Sequence, residues 1–155
     1  MDRHWDHFCG LSIVHFLAFA NCQSGEGPIL ETISKIAHDD FFSGIEVSRM
    51  NDLQVCKQAS ELLEQTHMNV DFGVHPMILT EKHNINSHYA DERQRACATV
   101  ESYLVQAAEL KARRFVLLSG PDPGESKRAD ATKALIESLH HIAEAAREYQ
   151  LSVAL

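Results

Sequence analysis

Neither a GxGxxG nor a GxxxxGK[ST] segment occurs in the 155-residue chain. A dinucleotide or P-loop site therefore lacks the backbone cradle that holds phosphate at a helix N-terminus. No CxxC pair is present either. Cys9, Cys22, Cys56 and Cys97 stand alone, at spacings that match no zinc module. Buried, reduced thiols are expected, as in a cytoplasmic protein. No apolar run is long enough to span a bilayer, so no membrane partner is expected. The run from Leu11 to Ala20 has the look of a signal-peptide core, but His15 interrupts it, and Asp2 and Asp6 flank Arg3 ahead of it. A signal needs a positive start and an unbroken stretch, so a cytoplasmic location is expected. There is no basic patch: Arg113-Arg114 and Lys127-Arg128 are isolated pairs in a chain of formal charge −8. A nucleic-acid backbone would be repelled, and no nucleic-acid partner is expected. Glycine and proline are scarce, at seven and four residues, while hydrophobic residues make up 45%. That balance excludes low complexity and suits one folded domain with a sizeable core.

What is present alternates between strand and helix. Leu11 to Phe19 is short, apolar and partly β-branched, and reads as a buried first strand. Pro28 suits a helix start, and Ile29, Leu30, Ile33, Ile36 and Ala37 then share one helical face. Gly44 to Ser48 is the second strand. Asn51 or Asp52 can cap the next helix, with Val55, Ala59, Leu62 and Leu63 on its face. Val70 to His75 is the third strand, ended by Pro76. The polar segment from Thr80 to about Tyr89 is too long for a tight connection, so it is a functional loop or a disordered one. Ala96, Val100, Tyr103, Leu104, Ala107 and Ala108 share a face and predict one helix. Phe115 to Leu118 is the fourth strand, leading into Ser119-Gly120-Pro121-Asp122-Pro123-Gly124. A last helix carries Leu135, Leu139, Ile142, Ala143 and Ala146. Leu151 to Leu155 reads as a fifth strand.

Apolar strands separated by amphipathic helices imply an α/β fold with a parallel sheet and helices outside it. This pattern is shared by open doubly wound sheets and by barrels. The repeat is roughly 35 residues per unit, at which a closed eight-unit barrel needs roughly 280. Four units and a fifth strand leave two sheet edges without partners. Residues 1–155 therefore read as a fragment of a longer chain or as a half-barrel that pairs with something.

Four segments carry a family resemblance. They are Gly44-Ile45-Glu46-Val47, His75-Pro76, Asn84-Ile85-Asn86-Ser87 followed by Asp91-Glu92-Arg93, and Phe115 to Gly120. In order and spacing they resemble the first half of the xylose isomerase-like TIM-barrel family, which implies that residues 1–155 are the N-terminal half of a single (β/α)8 TIM-barrel domain, truncated before its second half. That family includes sugar-phosphate isomerases and epimerases, and an endonuclease IV branch. The chain departs from it at Ser119, where many members carry a His, and at Lys111-Ala112, where Gly is common.

The resemblance implies a sugar or sugar-phosphate isomerase or epimerase, acting on a small carbohydrate or hydroxy-keto acid. It also implies metal-assisted proton transfer through an enediolate. A divalent metal (Mn, Mg, Zn or Co) is implied, with ligands mostly on strands five to eight and none assigned within this chain. His75 and Glu46 are the expected catalytic residues, and His15, Ser119, Gly120 and Arg93 the expected substrate contacts. An imidazole exchanges protons near neutral pH. A carboxylate in an apolar strand needs a partner: His75, a substrate hydroxyl, or an Arg or Lys across the sheet. Arg93, at a helix start, is read as a structural partner of Asp91 or Glu46 ahead of a phosphate ligand. Asp2, His4, Asp6, His7 and Cys9 are metal-like by type but precede any rigid element, so no native site is expected there. His140 and His141 are adjacent and cannot form an i,i+4 ligand pair. Two rival readings remain: an endonuclease IV-like abasic-site nuclease, and a non-catalytic half-barrel that homodimerises or completes another chain.

Overall fold

The computed structural model describes residues 9–155. The Asp2, His4, Asp6 and His7 group lies outside them, and Cys9 is exposed rather than buried. Five strands, β1 (Ser12–Val14), β2 (Gly44–Val47), β3 (Asn69–Gly73), β4 (Arg114–Val116) and β5 (Ser152–Ala154), form one sheet in the order β1-β2-β3-β4-β5. Every neighbouring pair is parallel. A doubly wound sheet reverses its strand order at a switch point. This sheet never reverses, which is the winding of a barrel wall. The partial TIM barrel expected from the sequence is thus what the chain forms, with β1 and β5 as its two edges.

Register explains the two faces. Val14, Glu46, Asp71, Arg114 and Ser152 are partners along one row, and Ile13, Ile45, Val70 on one side and Phe72 with Phe115 on the other alternate with it. Side chains alternate between faces along a strand. Ile45, Val47, Phe72, Phe115 and Leu117 are all 1% exposed or less and join the core cluster with the helices. Phe72 and Phe115 lie side by side in register, ring centroids 5.8 Å apart and nearly parallel. Such a pair contributes about 0.5–1.5 kcal/mol beyond the area it buries. The opposite face carries Glu46, Asp71 and Arg114. In a closed barrel that face is the interior.

The helices follow their apolar stripes. In α2 (Ile29–Ala37), Ile29, Ile33 and Ile36 are buried. In α3 (Leu53–Gln65), Asp52 accepts a 2.7 Å bond from the Gln54 N–H, a side-chain cap of the kind expected. The final helix, α7 (Arg128–Glu148), buries Ala131, Ala134, Ser138, Ile142 and Ala146.

Three expectations need correction, and one open alternative is decided. The first strand stops at Val14, and His15–Ala18 is a helical turn, α1. Apolar runs this short fit either state; here the turn sends Phe16 into the core at 1% exposure and leaves Leu17 at 67%. His75 does not end β3 but opens a short helix, α4 (His75–Thr80), with Pro76 in its first turn, where a missing N–H costs nothing. The helix expected around Ala96 to Ala108 is two, α5 (Ala90–Glu101) and α6 (Leu104–Glu109). Its apolar face is the expected one, but the chain turns at Ser102 and Tyr103, where the Tyr103 hydroxyl accepts a bond from Arg49. Finally, the segment after Thr80 is packed, not disordered. Ile85, Asn86 and Ser87 are buried, Ser138 Oγ donates to the Ile85 carbonyl at 2.7 Å, and Asn86 Nδ2 donates to the Pro121 carbonyl at 3.0 Å.

Candidate functional site

Strand ends gather the polar groups. Glu46 is the third residue of β2, on the face away from the helices, and His75 follows β3 by two residues. Glu46 Oε1 lies 2.9 Å from His75 Nδ1, with the two side chains 14% and 18% exposed. The partner of Glu46 is therefore the histidine, not an Arg or Lys across the sheet. Arg114 instead pairs with its register neighbour Asp71, its Nε donating to Oδ1 at 2.9 Å. That pairing raises the Arg114 pKa, with a smaller contribution from the charge of Glu46. Despite the short separation, the Glu46 Oε1 atom is buried without a well-directed hydrogen bond. Catalytic hydrogen bonds are often misaligned before substrate arrives. The Phe16 ring, centroid 5.8 Å from that of His75, packs on the imidazole. No described residue occupies its Nε2.

His15 is placed quite differently. It is 3% exposed, and its Nε2 lies 2.8 Å from Thr32 Oγ1 on α2. Burial pushes its pKa down to about 4, so the ring is neutral at physiological pH. Its position after β1 matches that of His75 after β3, but its surroundings are those of the core.

A cleft of about 530 Å³ opens beside the pair, between α4 and the segment after β4. Ile78, Leu118 and Pro121 give it apolar walls, and His83, Asn84 and Ser119 a polar rim. Glu46 and His75 do not line it; they adjoin it through α4, which His75 opens. Ser119 and Gly120 both line it. Gly120 has φ +91°, and a side chain there would meet Asn84 Oδ1 at 2.9 Å and Asn86 at 3.0 Å. Only glycine takes that left-handed conformation at so close an approach. Arg93 reaches neither Asp91 nor Glu46. It donates to the Ser87 carbonyl at 2.9 Å and to Glu137 Oε2 at 3.2 Å, tying the polar segment to α7.

Sequence reasoning passed over a second set of groups on the same rim. Arg49, just after β2, pairs with Glu81, which also holds His83 Nε2 at 3.0 Å. Burial works against the Arg49 charge, but Tyr103 and Glu81 outweigh it and raise the pKa. Burial likewise opposes the Glu81 charge, yet His83 and Arg49 lower its pKa on balance. The signal available in the sequence was position alone: Arg49 comes just after β2, and Glu81 and His83 lie beyond α4 in the connection after β3, at the strand ends where barrels build their sites.

Consecutive parallel strands, an outer helical layer and polar side chains at the strand C-termini define a (β/α)-barrel wall that carries a site at one mouth. Residues 35–155 match the xylose isomerase-like TIM barrel family, and the chain belongs to it. Comparison with curated proteins finds no match. Among solved structures, the chain is similar to a D-psicose 3-epimerase determined in the presence of D-fructose, at 17% identity and TM-score 0.70, over 94% of this chain and 51% of that one. It is similar to a D-psicose 3-epimerase from Clostridium cellulolyticum H10 determined with D-tagatose, at 18% identity and TM-score 0.67, with the same coverage. An L-ribulose 3-epimerase matches at 16% identity and TM-score 0.72, over 96% of this chain and 49% of that one. The chain thus spans about half the length of these structures, and the likeness is one of fold. No helix among the described residues is long and apolar enough to cross a membrane.

Proposed function

We propose that this chain supplies the acid–base pair and part of the substrate cleft of a sugar isomerase or epimerase. The observation that carries the reading is the Glu46–His75 contact at 2.9 Å on the strand ends of a barrel wall. The substrate class follows from the family and from the 3-epimerases of similar fold: a small ketose, sugar phosphate or hydroxy-keto acid. Epimerisation beside a carbonyl removes a proton from carbon, moves the electron pair onto the carbonyl oxygen as an enediolate, and returns a proton. His75, with no described residue on its Nε2, is the group that takes or returns that proton. Glu46 holds its Nδ1 side and balances the charge the ring acquires. The orphaned Oε1 accepts a substrate hydroxyl as the bond to His75 aligns, which removes the penalty of a buried unpaired oxygen. Ser119 and the backbone at Gly120 offer donors to further hydroxyls along the cleft.

His15 and Arg93, expected from the sequence to touch substrate, serve here to fasten elements together. The family resemblance implies a divalent metal, which would polarise the substrate oxygens when bound. Among the described residues no group of three His, Cys, Asp or Glu side chains is placed to hold a metal ion, so no step above runs through it.

The test is solvent-deuterium incorporation into D-psicose or D-fructose by the protein carrying this chain, with His75→Gln and Glu46→Gln alongside. The reading expects exchange at the carbon next to the carbonyl, slowed about 10²–10⁴-fold in His75→Gln. Exchange at the wild-type rate in both variants removes the pair from the chemistry.

A further inference from the structure

The last residue of β3, Gly73, lies beneath the Glu46–His75 contact. A methyl carbon built on it would lie 2.1 Å from Glu46 Oε1, 3.0 Å from Glu46 Cδ and 3.0 Å from His75 Nδ1. Gly73 pairs with Val116 in an otherwise regular ladder, and its backbone is not in the left-handed region. Conformational freedom is therefore not what the position requires. What it requires is the missing side chain. Non-bonded carbon and oxygen atoms do not approach to 2.1 Å, so any other residue displaces the carboxylate. The displaced atom is the far end of a flexible side chain, not backbone, and can move without disturbing the sheet.

We propose that Gly73 is the positioning residue of the pair: its bare Cα is the space in which the Glu46 carboxylate comes within reach of His75. The inference rests on the reading of Glu46–His75 as the acid–base pair only for its functional meaning; the geometry stands without it. An imidazole nitrogen and a carboxylate oxygen at 2.9 Å must have a proton between them, because two bare acceptors repel at that distance. Glu46 thereby fixes the proton of His75 on Nδ1 and leaves Nε2 as the unprotonated nitrogen. Neutral imidazole left to itself prefers the proton on Nε2. Moving the carboxylate away therefore changes which nitrogen is protonated. Asp71 and Arg114 are the other charged groups on the Glu46 row, and the three atoms nearest a methyl on Gly73 belong to Glu46 and His75, not to them.

The experiment is ring-nitrogen NMR of ¹⁵N-labelled protein, comparing wild type, Gly73→Ala and Glu46→Gln, with an unfolding curve for each. The proposal expects His75 to carry its proton on Nδ1 in the wild type. It expects proton density to move to Nε2 in both variants, with the Gly73→Ala unfolding midpoint close to wild type. If Glu46→Gln moves the proton and Gly73→Ala does not, Gly73 has no positioning role. If neither moves it, the pairing of Glu46 with His75 is itself wrong, a separate failure. Should the methyl cost stability, a double-mutant cycle with Glu46→Ala decides the matter. The cost vanishes in the Glu46→Ala background if the carboxylate is what the methyl meets, and a cost that persists there overturns the proposal.

Discussion

His15 and His75 occupy equivalent places in the chain. Each directly follows a valine and is the first residue of a short helix, α1 or α4; Val14 is the last residue of β1, and Val74 comes one residue after β3. His15 faces a threonine hydroxyl from a neighbouring helix at 3% exposure. His75 faces a carboxylate on the adjacent strand, with 18% of its side chain open. Burial keeps the first imidazole neutral and the Thr32 hydroxyl holds it in place, so it acts as a strut. The second has a carboxylate partner at the mouth, as the proposed proton transfer requires. Topological position therefore nominates a histidine, but its partner and burial decide its work.

The largest expected effect separates the two by assay. His75→Gln lowers isotope exchange about 10²–10⁴-fold while costing under about 1 kcal/mol of stability. His15→Ala does the reverse: exchange per folded molecule is retained, and urea unfolding shows a loss of about 2–4 kcal/mol. Equal loss of exchange in both variants would break the distinction.

The next effect is pH-dependent and belongs to His15. Its folded pKa of about 4 lies below the ordinary 6.5, so the unfolded chain binds the proton first. The contribution to stability is complete above pH 6.5 and is lost as pH falls toward 4. It amounts to on the order of 3 kcal/mol. Unfolding curves at pH 7 and pH 4.5 should show this slope in wild type and a shallower one in His15→Gln. Parallel pH dependence in the two proteins would show that the ring is not held neutral.

Thr32→Val sharpens the comparison further. It removes the His15 partner and should cost about 1–2 kcal/mol in a melting experiment, with exchange unaffected. The smallest effect is a control. His38 is exposed, with Nδ1 2.8 Å from the Ser34 carbonyl. His38→Ala should stay within about 0.5 kcal/mol of wild type.

How much of this was legible in the sequence follows the same line. Hydrophobic periodicity located all five strands and the apolar faces of the long helices, because burial of those faces is what the spacing encodes. It did not locate α1 or α4. Four to six residues are too few to show a helical period, and Leu11 to Phe19 is apolar throughout. Glu46 and His75 could be singled out because a carboxylate and an imidazole are costly near an apolar strand end without partners. That they partner each other depends on a register between β2 and β3 that no local pattern states. Gly73 was invisible for the same reason: its meaning is the absence of a side chain opposite Glu46, two strands' geometry rather than one segment's composition. Arg93 was read as a partner for Asp91 or Glu46 because both are near in sequence or in role. Its true partner, Glu137, lies 44 residues away on α7.

The central claim is that Glu46 and His75 form one unit while His15 stands apart from it. The most direct measurement is the protonation pattern of the His75 ring in the wild-type protein near neutral pH, read from its two nitrogen resonances. The account predicts a proton on Nδ1, the nitrogen beside Glu46. A neutral ring with its only proton on Nε2 would contradict it.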